Sequence, residues 1–135
     1  MTRKDEDGPE MAAAATADQA QASREHAATR RLLTRGADQL DARPWRPASV
    51  PPSAVDLAHF ALWRSQELAA DDLLAALTLL PAARAEVNGL EAGLLFTARS
   101  AGLTWAQIAD AMGFRSPQAC QQHFQRLAGR AGAGS

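Results

Sequence analysis

Residues 102–127, GLTWAQIADAMGFRSPQACQQHFQRL, contain two short helical patterns separated by one tight turn. Thr104 and Ser116 are typical helix N-caps, because their hydroxyls can accept free backbone N–H groups, and Pro117 suits a first helical position. Gly113 is typical of a helix end, since glycine readily adopts the left-handed backbone of a C-cap. The stretch therefore predicts a helix, a four-residue turn and a second helix.

The second predicted helix, over 117–128, is rich in amides. Between Ser116 and Leu127 it has four glutamines and no acidic residue. At about 100° per residue, Cys120 and Phe124 lie on one side with Leu127, and the glutamines lie on the other. Glutamine can pair bidentately with adenine, and arginine with guanine, in the DNA major groove. The pattern favours a helix that reads DNA.

Charge is distributed unevenly along the chain, although the formal net charge is only −1. Residues 1–52 are neutral, residues 53–95 carry a net −4 and residues 96–135 a net +3. The basic end contains the glutamine-rich helix, so contact with a polyanion is expected there. Residues predicted to contact phosphate or guanine are Arg99, Thr104, Arg115, Arg126 and Arg130.

Residues 77–128 resemble a known family. The 102–127 stretch is similar to the helix-turn-helix of small actinobacterial DNA-binding regulators, and LTLLPAARAEVNGLEAGLLFTARSAGLTWAQIADAMG, residues 77–113, resembles region 4 of sigma-70-type factors. In that family the second helix of the pair enters the major groove. The resemblance therefore implies base reading by Ser116, Gln118, Gln121, Gln122 and Gln125.

The composition favours an all-α fold, a helical bundle that ends in a helix-turn-helix. Apolar residues make up 47% of the chain, aromatic residues only 5%, and tyrosine is absent. The sequence predicts five regions. They are a disordered tail (1–23), a helix with a proline-rich connector (24–52), a helical scaffold and association region (53–101), a helix-turn-helix (102–130) and a disordered end (131–135).

Apolar periodicity gives candidate core residues for the scaffold. In the helix predicted from 81 to 101, Val87, Leu90, Leu94 and Ala98 recur at steps of three and four, so we expect them to be buried. Leucines of DDLLAALTLL, residues 71–80, are expected in the core, although they could also form a partner surface. Further expectations are Trp45 anchoring the connector, Ile108 and Met112 facing inward, and Gly129 ending the last helix.

Several function classes are not favoured. No apolar signal region begins the chain, and the longest uncharged apolar run, 73–83, is too short for a membrane span. Cys120 and His123 are three residues apart, but both face the predicted core and no second cysteine exists. We therefore expect a protein that is not an enzyme, has no cofactor or metal, does not enter a membrane, and lies in the cytoplasm at the bacterial nucleoid.

The sequence thus predicts a sequence-specific, DNA-binding transcriptional regulator. Its partners would be double-stranded DNA and a second copy of the chain, because helix-turn-helix readers commonly bind two half-sites. One alternative is a sigma-like adaptor that binds RNA polymerase or a regulatory protein through the acidic region 53–95. Another is a nucleoid protein that binds DNA without sequence preference, although that role usually calls for a more basic surface.

Overall fold

The computed structural model describes the backbone of residues 3–133 and the side chains of residues 8–130. Within those limits the chain is helical and has no β-strand, which confirms the all-α prediction. Two short 3-10 helices, Ala37–Gln39 and Ser65–Glu67, accompany six α-helices. The α-helices are α1 (Arg3–Thr34), α2 (Ala54–Trp63), α3 (Ala70–Thr78), α4 (Leu80–Ser100), α5 (Trp105–Met112) and α6 (Pro117–Ala133).

The helices form two compact units. The first unit is Met1–Ala83 and the second is Arg84–Ser135. The division falls near the start of α4, whereas the sequence predicted a single scaffold over 53–101. The glutamine-rich helix therefore belongs to a unit that includes most of α4.

The core of the first unit forms where α1, α2 and α3 pack together. Alanines and leucines dominate it, so the helices can approach closely. From α2, Phe60 adds the one aromatic ring among its fully buried residues. The buried residues are Ala28, Leu32, Ala37, Leu57, Phe60, Ala61, Ala75, Ala76 and Leu79.

A buried ionic cluster joins α1 to α3. Asp72 is completely inaccessible to solvent, and its Oδ1 accepts hydrogen bonds from Nε of Arg31 at 2.7 Å and Nε of Arg35 at 3.1 Å. Its Oδ2 accepts the backbone N–H of Ala69 at 2.9 Å, which also caps α3. The hydrogen bonds from Arg31 and Ala69 are the main reasons why the pKa of Asp72 lies below its ordinary value of 3.8.

The proline-rich connector is held by an arginine and not by Trp45. Trp45 is 83% exposed, so the prediction that it anchors the connector is wrong. The buried residue is Arg46, whose Nε lies 2.9 Å from Oδ2 of Asp56. The backbones of Arg43 and Arg46 exchange two hydrogen bonds of 2.9 Å, a tight turn that places Trp45 at its outer side.

The N-terminal region differs from the predicted tail over 1–23. In the structure α1 begins at Arg3, and residues 8–20 are helical yet exposed. The reason is composition, because the alanine-rich run 11–20 has high intrinsic helix propensity although it buries little surface. At the other end α6 extends to Ala133. Residues 131–133, which belong to the region predicted to be disordered (131–135), are therefore helical. Residues 1, 2, 134 and 135 lie outside the described residues.

One apolar stretch, Ala70–Ser100, has the length and composition of a membrane span. Its most apolar window has a mean hydropathy of 1.2, and 17% of that window is buried. A single stretch of this kind is weak evidence, since core and interface helices of soluble proteins have the same composition. The helical hydrogen bonding is also interrupted at Leu79, between α3 and α4.

Candidate nucleic-acid interface

Three helices of the second unit build the candidate site. α5 and α6 pack on the inner side of α4 around a small apolar core. Ala109 is 2% exposed, and its small side chain lets the helices approach closely at this point. The buried residues are Leu95, Ile108, Ala109, Cys120 and Leu127.

The start of α5 is a capping box built on the predicted N-cap Thr104. Oγ1 of Thr104 accepts the backbone N–H of Gln107 at 3.1 Å, and Oε1 of Gln107 accepts the backbone N–H of Thr104 at 2.9 Å. These reciprocal bonds satisfy two backbone donors that a helix start otherwise leaves unpaired. They also fix where the helix-turn-helix begins.

A turn of four residues, 113–116, connects α5 to α6. Gly113 has φ of 79°, in the left-handed region, and the backbone N–H of Phe114 donates to the carbonyl of Ala109 at 2.8 Å. Ser116 then caps α6, because its Oγ accepts the backbone N–H of Ala119 at 3.1 Å. The cap at Ser116, the first-turn position of Pro117 and the end of α5 at Gly113 all follow the sequence prediction.

The rotation of α6 about its axis is fixed by contacts on its inner face. Nε2 of His123 lies 2.9 Å from Oε1 of Glu91 on α4, and its ring lies 5.2 Å from that of Phe114. The ring of the next residue, Phe124, lies 5.7 Å from that of Trp105. The bond to Glu91 was not predicted, since 32 residues separate the partners. It holds α6 to α4 at a fixed angle of rotation.

The outer face of α6 presents the amides. All four glutamine side chains are exposed, and within the described part of the chain none of their amide groups has a hydrogen-bond partner. Their directions fall within about 100° of one another around the helix. The structure therefore brings together four of the five residues predicted to read bases. They are Gln118, Gln121, Gln122 and Gln125.

The fifth residue, Ser116, differs from the amides in its environment. It is half-buried, and its oxygen already accepts the capping hydrogen bond of α6. Thr104 is similarly engaged on α5, since its hydroxyl also donates to Oε1 of Gln107 at 3.2 Å. Both hydroxyls hold helix starts in place, where the first backbone N–H groups have no carbonyl partner within the helix.

The arginines fall into two groups. Arg115, Arg126 and Arg130 are exposed on α6 and on the turn that precedes it. Arg99 on α4 is exposed too, but its Nη1 donates to the carbonyl of Leu103 at 2.9 Å and its guanidinium lies 5.0 Å from the ring centre of Trp105. Arg99 therefore braces the start of α5, while the other three side chains remain extended toward solvent.

Three predictions about burial and helix length are wrong in this unit. Val87, Leu90 and Leu94 are exposed, because α4 turns Leu95 toward α5 and α6 instead. Ala98 is half-buried and packs beside that core. Met112 is 40% exposed, whereas Ile108 is buried as expected. Gly129 does not end α6, because the helix continues through it to Ala133.

Cys120 is a packing residue in this arrangement. Its side chain is fully buried, and burial together with the negative charge of Glu91 raises the pKa of the thiol. A protonated, enclosed thiol is a poor nucleophile and a poor metal ligand. Among the residues that the structure describes, no three His, Cys, Asp or Glu side chains are grouped closely enough to hold a metal ion.

Comparison with known proteins gives one family. The sequence model of the Myb-like DNA-binding domain, a domain of the helix-turn-helix type, matches residues 93–131. That segment contains the end of α4 from residue 93 onward, all of α5 and nearly all of α6. No curated protein and no solved structure matches the chain. The match thus coincides with the three helices that build the amide face.

Proposed function

We propose that the chain is a sequence-specific, DNA-binding transcriptional regulator that does not catalyse a reaction. In this proposal α6 lies in the major groove of double-stranded DNA, and its outward amides contact base edges. The single observation that carries the proposal is the set of four exposed, unpartnered glutamines on one face of α6. The match of residues 93–131 to a DNA-binding domain supports the same role.

The proposed contacts follow from side-chain chemistry. Through one amide, each glutamine can donate a hydrogen bond to N7 of adenine and accept one from its N6 amino group. A carboxylate at the same place would be repelled by phosphates. Arg126, Arg115 and Arg130 would contact phosphate or guanine. Ser116 and Thr104 would act mainly by holding the helix starts, where backbone N–H groups can face phosphate oxygens. Arg99 would act beside the start of α5.

Because the proposed DNA-binding region is only weakly basic, the proposal includes a second copy of the chain. Residues 96–135 carry only a net +3, so the phosphate contribution of one copy is modest at physiological salt. Two copies would double the phosphate contacts and read two half-sites, as helix-turn-helix dimers do. The protein would act in the cytoplasm, on nucleoid DNA.

The adaptor alternative depends on the acidity of residues 53–95, where the carboxylates have partners within the chain. Asp72 pairs with Arg31 and Arg35, Asp56 with Arg46, and Glu67 with Arg64. Glu91 bonds to His123, Asp71 lies near Arg31, and Glu86 is engaged within the chain as well. These partners offset part of the acidic charge of the region, although the side chains of Asp71 and Glu67 are 75% and 68% exposed.

The proposal is tested first by finding the DNA. Sequencing of DNA cross-linked to the protein in cells should give discrete peaks, from which a preferred site is taken for binding measurements. Gln122→Ala or Gln118→Ala should then weaken binding to the preferred site by about 1–3 kcal/mol and leave binding to random DNA almost unchanged. Fluorescence anisotropy with labelled duplexes measures both affinities.

A matched control is available on α1. Gln19 is an exposed helical glutamine in the first unit, so Gln19→Ala should leave both affinities unchanged. Equal losses on preferred and random DNA in the α6 variants would contradict base reading. Continuous coverage of the chromosome would favour a nucleoid protein, and recovery of RNA polymerase without direct DNA contact would favour an adaptor.

A further inference from the structure

The face of α4 that points away from the core of the second unit is apolar and exposed. Leu90 is 62% exposed, Leu94 71% and Phe96 67%, and Val87 is exposed beside them. From Val87 to Ala98 the only charged residue is Glu91, whose carboxylate bonds to His123 on the inner side. An uncharged apolar face of this size is unusual for a free monomer and is typical of an interaction surface.

The exposed face continues into a groove between α4 and α5. The groove has a volume of about 720 Å³ and almost wholly apolar walls, with Leu103 and Met112 on the α5 side. A stable interface needs about 600 Å² or more from each copy. The exposed apolar side chains of α4 and of this groove supply an apolar surface of the kind that such an interface buries.

Two glycines give this face a self-complementary shape. Gly89 and Gly93 form a row on α4 beside the ridge of Leu90 and Leu94, and both glycines are exposed. Glycine weakens a helix interior relative to alanine. Among the described residues, no atom outside the adjacent backbone of α4 lies within 4 Å of the place that a Cβ would take at either glycine, so packing within one copy does not require them. The glycine row thus forms a trough, and the leucine row forms a ridge beside it.

We propose that α4 pairs with α4 of a second copy about a two-fold axis. The Leu90 and Leu94 ridge of each copy lies in the Gly89 and Gly93 trough of the other. Both rows follow i, i+4 spacing, which is the geometry of the commonest ridges-into-grooves packing between helices. A two-fold axis is expected because the same patch then serves both copies, and ridge and trough are adjacent on one helix. Between Val87 and Ala98 the face carries no charged side chain except Glu91, which is bonded on the inner side, and this favours an apolar partner.

This pairing leaves the amide face of α6 free. α4 holds α6 through Glu91 and packs Leu95 into the core, and both residues lie on the opposite side of the helix from the glycine row. A dimer built on the outer face would thus carry two reading helices. The pairing itself needs no DNA, so it can fail or succeed separately from the proposed function.

The test is the oligomeric state of the purified full chain without DNA. Sedimentation equilibrium should give a mass that rises with concentration toward twice 14.3 kDa. Gly93→Leu fills the trough, and Leu94→Glu places a charge in the trough of the other copy. Each substitution enters the interface twice, because both copies carry it. Each should therefore raise the dimer dissociation constant by about 100-fold or more. Circular dichroism checks that both variants keep the helical content of the parent chain.

Matched controls use the same changes outside the proposed contact. Gly129→Leu lies on α6 with open space at its Cβ, and Leu74→Glu changes an exposed leucine of α3. Dimer loss in both α4 variants and in neither control supports the proposal, and every other pattern overturns it. A wild-type chain that is monomeric at all concentrations, or that sediments with vesicles of anionic phospholipid as a monomer, also overturns it.

Discussion

At the scale of single residues, internal pairing decides which polar side chains remain available to partners. Asp72 is buried and bonded to Arg31 and Arg35, whereas the glutamines of α6 have no partner within the described chain. The sequence predicted which side of α6 these amides occupy, because Cys120 and Leu127 define its apolar side. It did not predict the pairing of Asp72, since partners 41 and 37 residues away leave no local pattern.

The lowered pKa of Asp72 makes the first unit sensitive to acid. A carboxylate whose pKa is lower in the folded state stabilises the fold above its unfolded value, and this contribution is lost as pH falls through the folded value. The free energy of unfolding of the parent chain should therefore fall as pH drops below about 5. Urea denaturation at a series of pH values measures this loss.

Asp72→Asn is the variant that isolates the effect. The amide cannot ionise and leaves both arginines without their charged partner, so the chain should be less stable at neutral pH and should lose less further stability on acidification. Asp38→Asn, an exposed control in the same unit, should follow the parent chain. An unchanged acid response in Asp72→Asn would show that Asp72 is not the group responsible.

At the scale of helices and turns, the residues at which helices begin and end could be predicted from the sequence. The side of a helix that faces the core was harder to predict. The capping box at Thr104, the left-handed Gly113 and the start of α6 depend on neighbouring residues, so the sequence predicts them well. The face of α4 was predicted wrongly. Apolar residues occur almost all round this helix, and only the approach of α5 and α6 selects Leu95 over Leu94 for the core.

Two glycine substitutions should change stability in opposite directions. Gly113→Ala forces alanine to φ of 79° and should destabilise the second unit by about 1–2 kcal/mol. Gly129→Ala replaces a glycine inside α6, where a Cβ meets nothing within 4 Å, and should stabilise the unit by about 0.5–1 kcal/mol. Thermal and urea denaturation compare the two. If both variants were destabilised alike, the helix boundary at Gly113 would be wrong.

At the scale of the whole molecule, the distribution of charge matters more than its sum. The net charge of −1 gives no sign of DNA binding, yet the exposed arginines Arg115, Arg126 and Arg130 lie on or beside α6. The division of the chain into Met1–Ala83 and Arg84–Ser135 could not be predicted, because it falls within an uninterrupted helix.

The salt dependence of binding tests the role of these arginines. If Arg126 contacts phosphate, Arg126→Gln should weaken binding to preferred and random DNA alike and reduce the slope of log K against log salt by about 1 for each copy bound. Arg30→Gln, an exposed arginine of α1, is the control and should leave the slope unchanged. A loss confined to the preferred site would instead assign Arg126 to a base.

The central claim, that amides of α6 contact base edges, is tested most directly by pairing protein and DNA changes. Each adenine of the preferred site is replaced in turn by 7-deaza-adenine, which lacks the N7 acceptor of the major groove, and affinities are measured for the parent chain and the four glutamine-to-alanine variants. We predict at least one position where the analogue weakens DNA binding by the parent chain by about 1–3 kcal/mol. At that position it should cause no further loss of affinity in one of the glutamine variants. Additive losses for every glutamine at every adenine would contradict the claim.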